Sequence, residues 1–209
     1  MSQLTWKWNG IEGASLQDAL VFAATHKKND LEFPLHAYLE IGVDGGESLK
    51  TVLDIARPTH VALVDIWDPR YCNHGYGDER HIRRIFSERG LDPGIAQFVN
   101  GDSHITIKTQ LRGRAFELIT VDGDHTDAGL LADLTDSWPL LRAKGLMVVD
   151  DIGHIEYPGL KGVFDRWLAS TPEAELIPEI DNGVEITPNP PGGKWLPGYA
   201  ATTRVVRRK

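Results

Sequence analysis

Apolar residues along the chain alternate between short, nearly unbroken runs and stripes at helical spacing. The first run, Tyr38, Leu39, Ile41 and Val43, has too few polar interruptions for a half-exposed strand. It predicts a strand buried on both faces of a parallel sheet. Similar runs follow at His60 to Trp67 (Val61, Ala62, Leu63, Val64), Ile95 to Val99, Phe116 to Val121 and Leu146 to Val149. The stripes between them predict helices. Ser15 is a fitting N-cap for Leu16, Ala19, Leu20 and Ala23, a helix ending near Lys27 and Lys28. Leu49, Val52, Leu53 and Ala56 form the next, closed by Pro58. Ile82, Ile85 and Phe86 mark a third, with Arg80, Arg83, Arg84 and Arg89 mostly outward, and Asn100 to Ser103 turns into a fourth. Thr126 caps a fifth, with Leu130, Leu134, Trp138 and Leu141 inward; Pro139 is expected to bend its last turn and Gly145 to end the unit. Leu160, Val163, Phe164 and Trp167 mark the sixth.

The tail is less regular. Ala174 to Ile180 can form a strand that Pro178 confines to an edge. Residues 181–199 are dense in proline and glycine and read as a loop, with room for a short strand at Val184 to Ile186. Ala201 to Val206 is a β-branched run that should return as a last strand. Strand–helix alternation of this kind predicts an α/β fold with a doubly wound, mostly parallel sheet. With no internal repeat and no linker, residues 1–209 are expected to form one domain. Residues 1–34 would be a helical extension, and the loops at 68–78 and 181–199 would choose the substrate.

Composition narrows the class. The chain has 209 residues, 41% hydrophobic and 25% charged, with a formal net charge of −8, which argues against a nucleic-acid backbone as partner. No apolar run approaches the roughly 20 residues of a membrane span, so no membrane partner is expected. Met1 to Gly10 lacks an apolar signal core, and the single cysteine, Cys72, suits a reducing compartment; a cytoplasmic location is expected. Cys72 has no Cys-His signature around it and reads as a bystander thiol. Four of six tryptophans (Trp6, Trp8, Trp67, Trp195) lie outside the periodic runs, a hint of ligand or subunit contacts.

The chemistry begins after the first strand. Gly42, Gly45 and Gly46 permit a tight strand-to-helix turn with close approach to a ligand. A dinucleotide fingerprint would carry glycine where Asp44 and Glu47 stand, and two carboxylates there would repel a diphosphate. A ligand with a cationic amino group and a ribose fits better. Asp65 ends the second strand about 20 residues on, where such folds hold a ribose diol; a solvated strand end is the plainer alternative. Asp102 or Ser103 could cap the fourth helix or meet an adenine ring. Farther on, Val121-Asp122-Gly123-Asp124-His125 and Val149-Asp150-Asp151 each put acids directly after an apolar strand. If those strands are neighbours, three or four carboxylates converge, which is costly without a cation and favours Mg²⁺ or a similar divalent ion. Helix-capping aspartates would explain each acid singly.

The segment from Glu40 to Asp151 resembles the class I S-adenosylmethionine (SAM)-dependent methyltransferases. Among them it is most similar to the cation-dependent O-methyltransferases of the catechol and caffeoyl-coenzyme A type and to their bacterial sugar and natural-product relatives, including cephalosporin-hydroxylase-like ones. The resemblance implies a Rossmann-like sheet, mostly parallel with an antiparallel last strand. It implies SAM held by Glu40, Gly42, Gly46, Ser48, Asp65, Asp102, Ser103 and Asp124. It implies a divalent metal on Asp122, Asp150 and Asp151, and a homodimer. Where the catechol and caffeoyl-coenzyme A enzymes carry a lysine three residues after the first metal acid, this chain has His125. Histidine accepts a proton near neutral pH, so His125 is a candidate base or a structural tie, Asp122 itself could take the proton, and His154 is a second candidate.

The expectation is methyl transfer to a hydroxyl of a small molecule, a sugar, a polyol or a phenol. Metal-dependent hydrolysis on the same carboxylates would leave the glycine turn and Asp65 unexplained. A catalytically silent methyltransferase fold acting as a binding subunit is the alternative from another class.

Overall fold

The computed structural model describes residues 7–8, 11–12, 15–68, 78–154, 156–177 and 203–209. Most of the 68–78 loop, all of the 181–199 loop, Cys72, Trp6 and Trp195 lie outside them. Two short strands, β1 (Lys7–Trp8) and β2 (Ile11–Glu12), pair antiparallel near the N-terminus. The main sheet is built from β3 (Ala37–Ile41), β4 (His60–Asp65), β5 (Ala96–Asn100), β6 (Phe116–Val121), β7 (Leu141–Val149), β8 (Ala174–Leu176) and β9 (Arg204–Arg208). Its order is β5-β4-β3-β6-β7-β9-β8. The first five are parallel; β9 runs antiparallel between β7 and β8.

Alternate strand residues serve opposite faces, and both faces are covered. Leu39, Ile41, Ile119, Val121, Met147 and Val149 pack on one side against α4 (Ser103–Gln110), α5 (Asp127–Ser137) and α6 (Leu160–Ser170). Tyr38, Leu63, Leu118, Leu146, Val148 and Val205 pack on the other against α1 (Leu16–Asn29), α2 (Glu47–Ile55) and α3 (Glu79–Glu88). Two-sided burial is why the strands read as continuous apolar runs. Removing any one of these side chains costs on the order of 2–5 kcal/mol.

Three local boundaries differ from the pattern's prediction. Pro139 does not bend α5: the helix stops at Ser137, and residues 138–140 form a 3-10 turn. Proline lacks the N–H that another helical turn would need. The strand then starts at Leu141 rather than Leu146 and runs through Gly145, with an irregular register against β6 and Lys144 at φ 61. Residues Pro93–Ile95 form a 3-10 turn capped by Asp92, so the third parallel strand starts at Ala96.

The chain moves outward from β3 through β4 to β5, then returns to β6 on the other side of β3. The carboxyl ends of β3 and β6 therefore flank the crevice where the winding reverses, which is where ligands bind in such sheets. Backbone bonds lock those ends together: Gly42 donates to Val64, Asp122 to Ile41 and Asp150 to Val121, at 2.9, 2.9 and 3.0 Å.

Candidate active site

Each predicted site residue comes from the end of a strand, the loop after it or the start of the following helix. After β3 the chain turns through Gly42 and Gly46, both at positive φ (80 and 76). A Cβ on Gly42 would lie 1.9 Å from the Asp122 carbonyl oxygen, so the turn after β3 is pressed against the loop after β6. A Cβ on Gly46 would come within 2.9 Å of the ends of Ile82 and Ile85 on α3. Only glycine meets both demands.

Glu40, on β3 beneath this turn, is fully buried. Ser48 donates to its Oε1, and the Tyr38 hydroxyl donates to Oε2 at 3.0 Å while lying 2.8 Å from Thr120 Oγ1. Burial drives its pKa up to about 8 against the pull of the Ser48 and Tyr38 hydroxyls, and Asp122 and Asp65 push it further. Asp65 closes β4, and its Oδ2 accepts from the Val43 and Asp44 amides at 2.8 and 3.1 Å. Its Oδ1 accepts from the Trp67 amide at 2.7 Å, so the acid organises the glycine turn directly.

Asp102 N-caps α4, accepting from the His104 amide at 2.8 Å, and is exposed. Ser103 opens that helix toward Asp133, an acid of α5 that is fully buried and raised by burial, with Ser103 and His104 opposing the rise. Asp124 accepts from the Thr126 amide at 2.9 Å and lies against Gly129, so its carboxylate engages the start of α5.

The second group lies at the ends of β6 and β7. Asp122, His125 and Asp151 bring one donor atom each within 4.8 Å of one another. His125 Nε2 is 3.3 Å from Asp122 Oδ1 and 3.0 Å from Asp151 Oδ2. Asp122 keeps 27% of its side chain accessible, yet desolvation lifts its pKa to about 7; His125 draws it down, and Asp150 and Asp151 push it up. Asp151 is raised by burial and by Asp150, with His125 and His154 opposing. His125 is raised above its ordinary value, first by its bond to Asp122 and then by the field of the three acids, against the cost of burial. Asp150 sits beside the cluster and accepts a hydrogen bond from Thr203, the residue before β9. His154 is buried, and its Nδ1 accepts from the Glu156 amide at 3.2 Å.

Sequence reasoning missed three contributors. Tyr38 and Thr120 read only as strand residues, since the Tyr38 hydroxyl joins Glu40 on its own strand to Thr120 on the neighbouring one. Tyr157 was invisible as a partner of His125, although Asp151-x-x-His154-x-x-Tyr157 repeats at three-residue spacing. Among the described residues no helix is long and apolar enough to cross a membrane.

A glycine turn at the switch point, an acid closing β4 and an antiparallel strand inserted beside β7 define the class I methyltransferase fold. The family model described as "Methyltransferase domain" matches residues 39–152, more than half of the chain. The chain belongs to this family and is a SAM-dependent methyltransferase. Solved structures agree on the fold. The O-methyltransferase NovP matches with a TM-score of 0.63 at 18% identity, over 92% of this chain and 79% of its own. TomG from Streptomyces achromogenes, an O-methyltransferase involved in tomaymycin synthesis and solved with SAM, matches at 0.59 and 17%, over 91% and 77%. CalS11, a TDP-rhamnose 3'-O-methyltransferase of calicheamicin biosynthesis, matches at 0.60 and 17%, over 92% and 79%. No curated protein sequence matches the chain.

Proposed function

We propose that this enzyme methylates a hydroxyl of a small molecule, a sugar, a polyol or a phenol, with a divalent cation, Mg²⁺ or a similar ion, at the ends of β6 and β7. The observation that carries this reading is His125 Nε2, held 3.0 and 3.3 Å from carboxylates of two neighbouring strands beside the glycine turn. The donor set fits a hard cation: Asp122 and Asp151 are oxygen donors raised above their ordinary values, first by burial and then by neighbouring acids, and a cation would favour their charged forms. Asp122, Asp150 and Asp151 would hold the ion. Glu40, Gly42, Gly46, Ser48 and Asp65 would hold SAM, with Asp102, Ser103 and Asp124 on its rim.

When bound, SAM supplies an electrophilic methyl group, and the cation supplies positive charge that favours ionisation of a hydroxyl. The chain's residues do the rest. His125 receives the hydroxyl proton at its other ring nitrogen, Nδ1, and Asp122 and Asp151, which accept from Nε2, stabilise the imidazolium that results. The acceptor oxygen forms its bond to carbon as the carbon–sulfur bond breaks. Fixed strand ends keep the reacting atoms in line, an effect that can supply several kcal/mol. The acidic composition favours a neutral or cationic acceptor. The family resemblance supports a homodimer, with light scattering to show twice 23.2 kDa. A cytoplasmic setting fits the single cysteine.

The test is transfer of radiolabelled methyl from SAM to a panel holding a nucleotide sugar, a catechol and a polyol, with Mg²⁺ and with excess chelator. Turnover of one class that chelator abolishes, while calorimetry still shows S-adenosylhomocysteine binding, supports the reading. Full turnover in chelator removes the cation and leaves a transferase that relies on His125. Loss of His125 as a base would show as an unimpaired His125→Asn variant.

A further inference from the structure

We propose that Tyr157 is a positioning residue that fixes the plane of the His125 ring; this rests on the reading of His125 as proton acceptor. Three backbone bonds between residues three apart follow β7. The His154 amide donates to the Asp151 carbonyl, Tyr157 to His154 and Leu160 to Tyr157, each at 3.1 Å. These turns carry Tyr157 to the His154 and His125 rings, and Leu160 buries itself at the start of α6 as the anchor.

The Tyr157 ring lies 4.6 Å from the His125 ring at 31° and 5.1 Å from the His154 ring at 30°. His125 stands on a loop, and about a third of its side chain is exposed. Carboxylate bonds at one nitrogen leave the imidazole free to rotate about that nitrogen's bonding direction. A ring face at 4.6 Å removes that freedom, because tilting the imidazole would either break the contact or drive it into the phenol. The ring plane, and with it the direction of Nδ1, is then fixed while Nε2 stays between Asp122 and Asp151. The ring is the part of Tyr157 that meets both histidines. The chain thus uses one short turn for two tasks: Asp151 supplies charge and Tyr157 supplies orientation.

The experiment compares Tyr157→Phe, Tyr157→Leu and wild type by histidine NMR and by methyl transfer. The His125 signal is assigned with His125→Asn. In wild type and Tyr157→Phe its ring protons should carry an upfield ring-current shift, and in Tyr157→Leu they should not. With the acceptor that turns over in the panel, kcat should fall about 3- to 10-fold in Tyr157→Leu, with KM for SAM unchanged and activity kept in Tyr157→Phe. Tyr157→Met serves in its place if the leucine variant does not fold. Wild-type kcat without the ring overturns the proposal, as does an equal loss in Tyr157→Phe. If no acceptor turns over, the function reading fails, and the ring-current shift still decides the contact. A wild-type His125 signal without that shift overturns it.

Discussion

Asp150 and Asp151 are adjacent and chemically identical, but their backbones differ. Asp151 has φ 58, the left-handed region in which asparagine and aspartate are the best-tolerated side chains after glycine. Asp151→Asn therefore keeps the turn that carries His154 and Tyr157. Asp150 lies in the ladder's continuation and is held by Thr203, so Asp150→Asn removes a full charge where the shape is already fixed. Mn²⁺ affinity measured by calorimetry should drop about tenfold or more for Asp150→Asn and less for Asp151→Asn. The reverse order would remove Asp150 from the cation site. Gly42 gives the second prediction at this scale. Gly42→Ala meets both a positive φ and the Asp122 carbonyl, so denaturant unfolding should show a loss of at least about 2 kcal/mol. An unchanged midpoint would mean the turn and the loop after β6 can separate.

Among the elements, the strands that meet at the switch point were the most legible, because two-sided burial leaves an unmistakable run of apolar residues. Gly42, Gly46, Asp65, Asp122 and Asp151 were readable for the same reason: each stands next to such a run. Their contacts were not readable. Whether Asp102 caps or binds, and whether Asp124 faces α5, depends on side-chain direction, which spacing does not encode. The start of β7 was lost because Pro139 ends α5 abruptly and an irregular stretch with few apolar residues follows. The place of β9 between β7 and β8 depends on pairing across the chain. That placement has a consequence: β9 brings Thr203 against Asp150. Thr203→Val keeps the β-branched shape and removes the hydroxyl. Cation affinity should fall about 3- to 10-fold with the melting temperature nearly unchanged. Unaltered Mn²⁺ titration would reduce β9 to a purely structural strand.

For the whole molecule, three groups around the crevice store an electrostatic cost that depends on pH. Glu40 is lifted from 4.5 to about 8 and Asp122 from 3.8 to about 7, each chiefly by burial. The folded state thus keeps protons that the unfolded chain has already released. For a carboxyl raised on folding, stability is greatest at the acid end and is lost as pH rises between the two pKa values. His125, also raised, acts with the same sign above its ordinary value, because the folded form holds its proton longer. The metal-free enzyme should lose on the order of a few kcal/mol between about pH 4 and about pH 8. A cation between Asp122 and Asp151 favours the charged carboxylates and offsets their share, while Glu40, sealed by Ser48 and Tyr38, keeps its own. Mg²⁺ should therefore raise the melting temperature more at about pH 8 than at about pH 5.5, and chelator should return it to the metal-free value. An equal Mg²⁺ shift at both pH values would place the ion away from Asp122 and Asp151. A flat metal-free profile would mean that water reaches Glu40 and Asp122 far more freely than their burial allows.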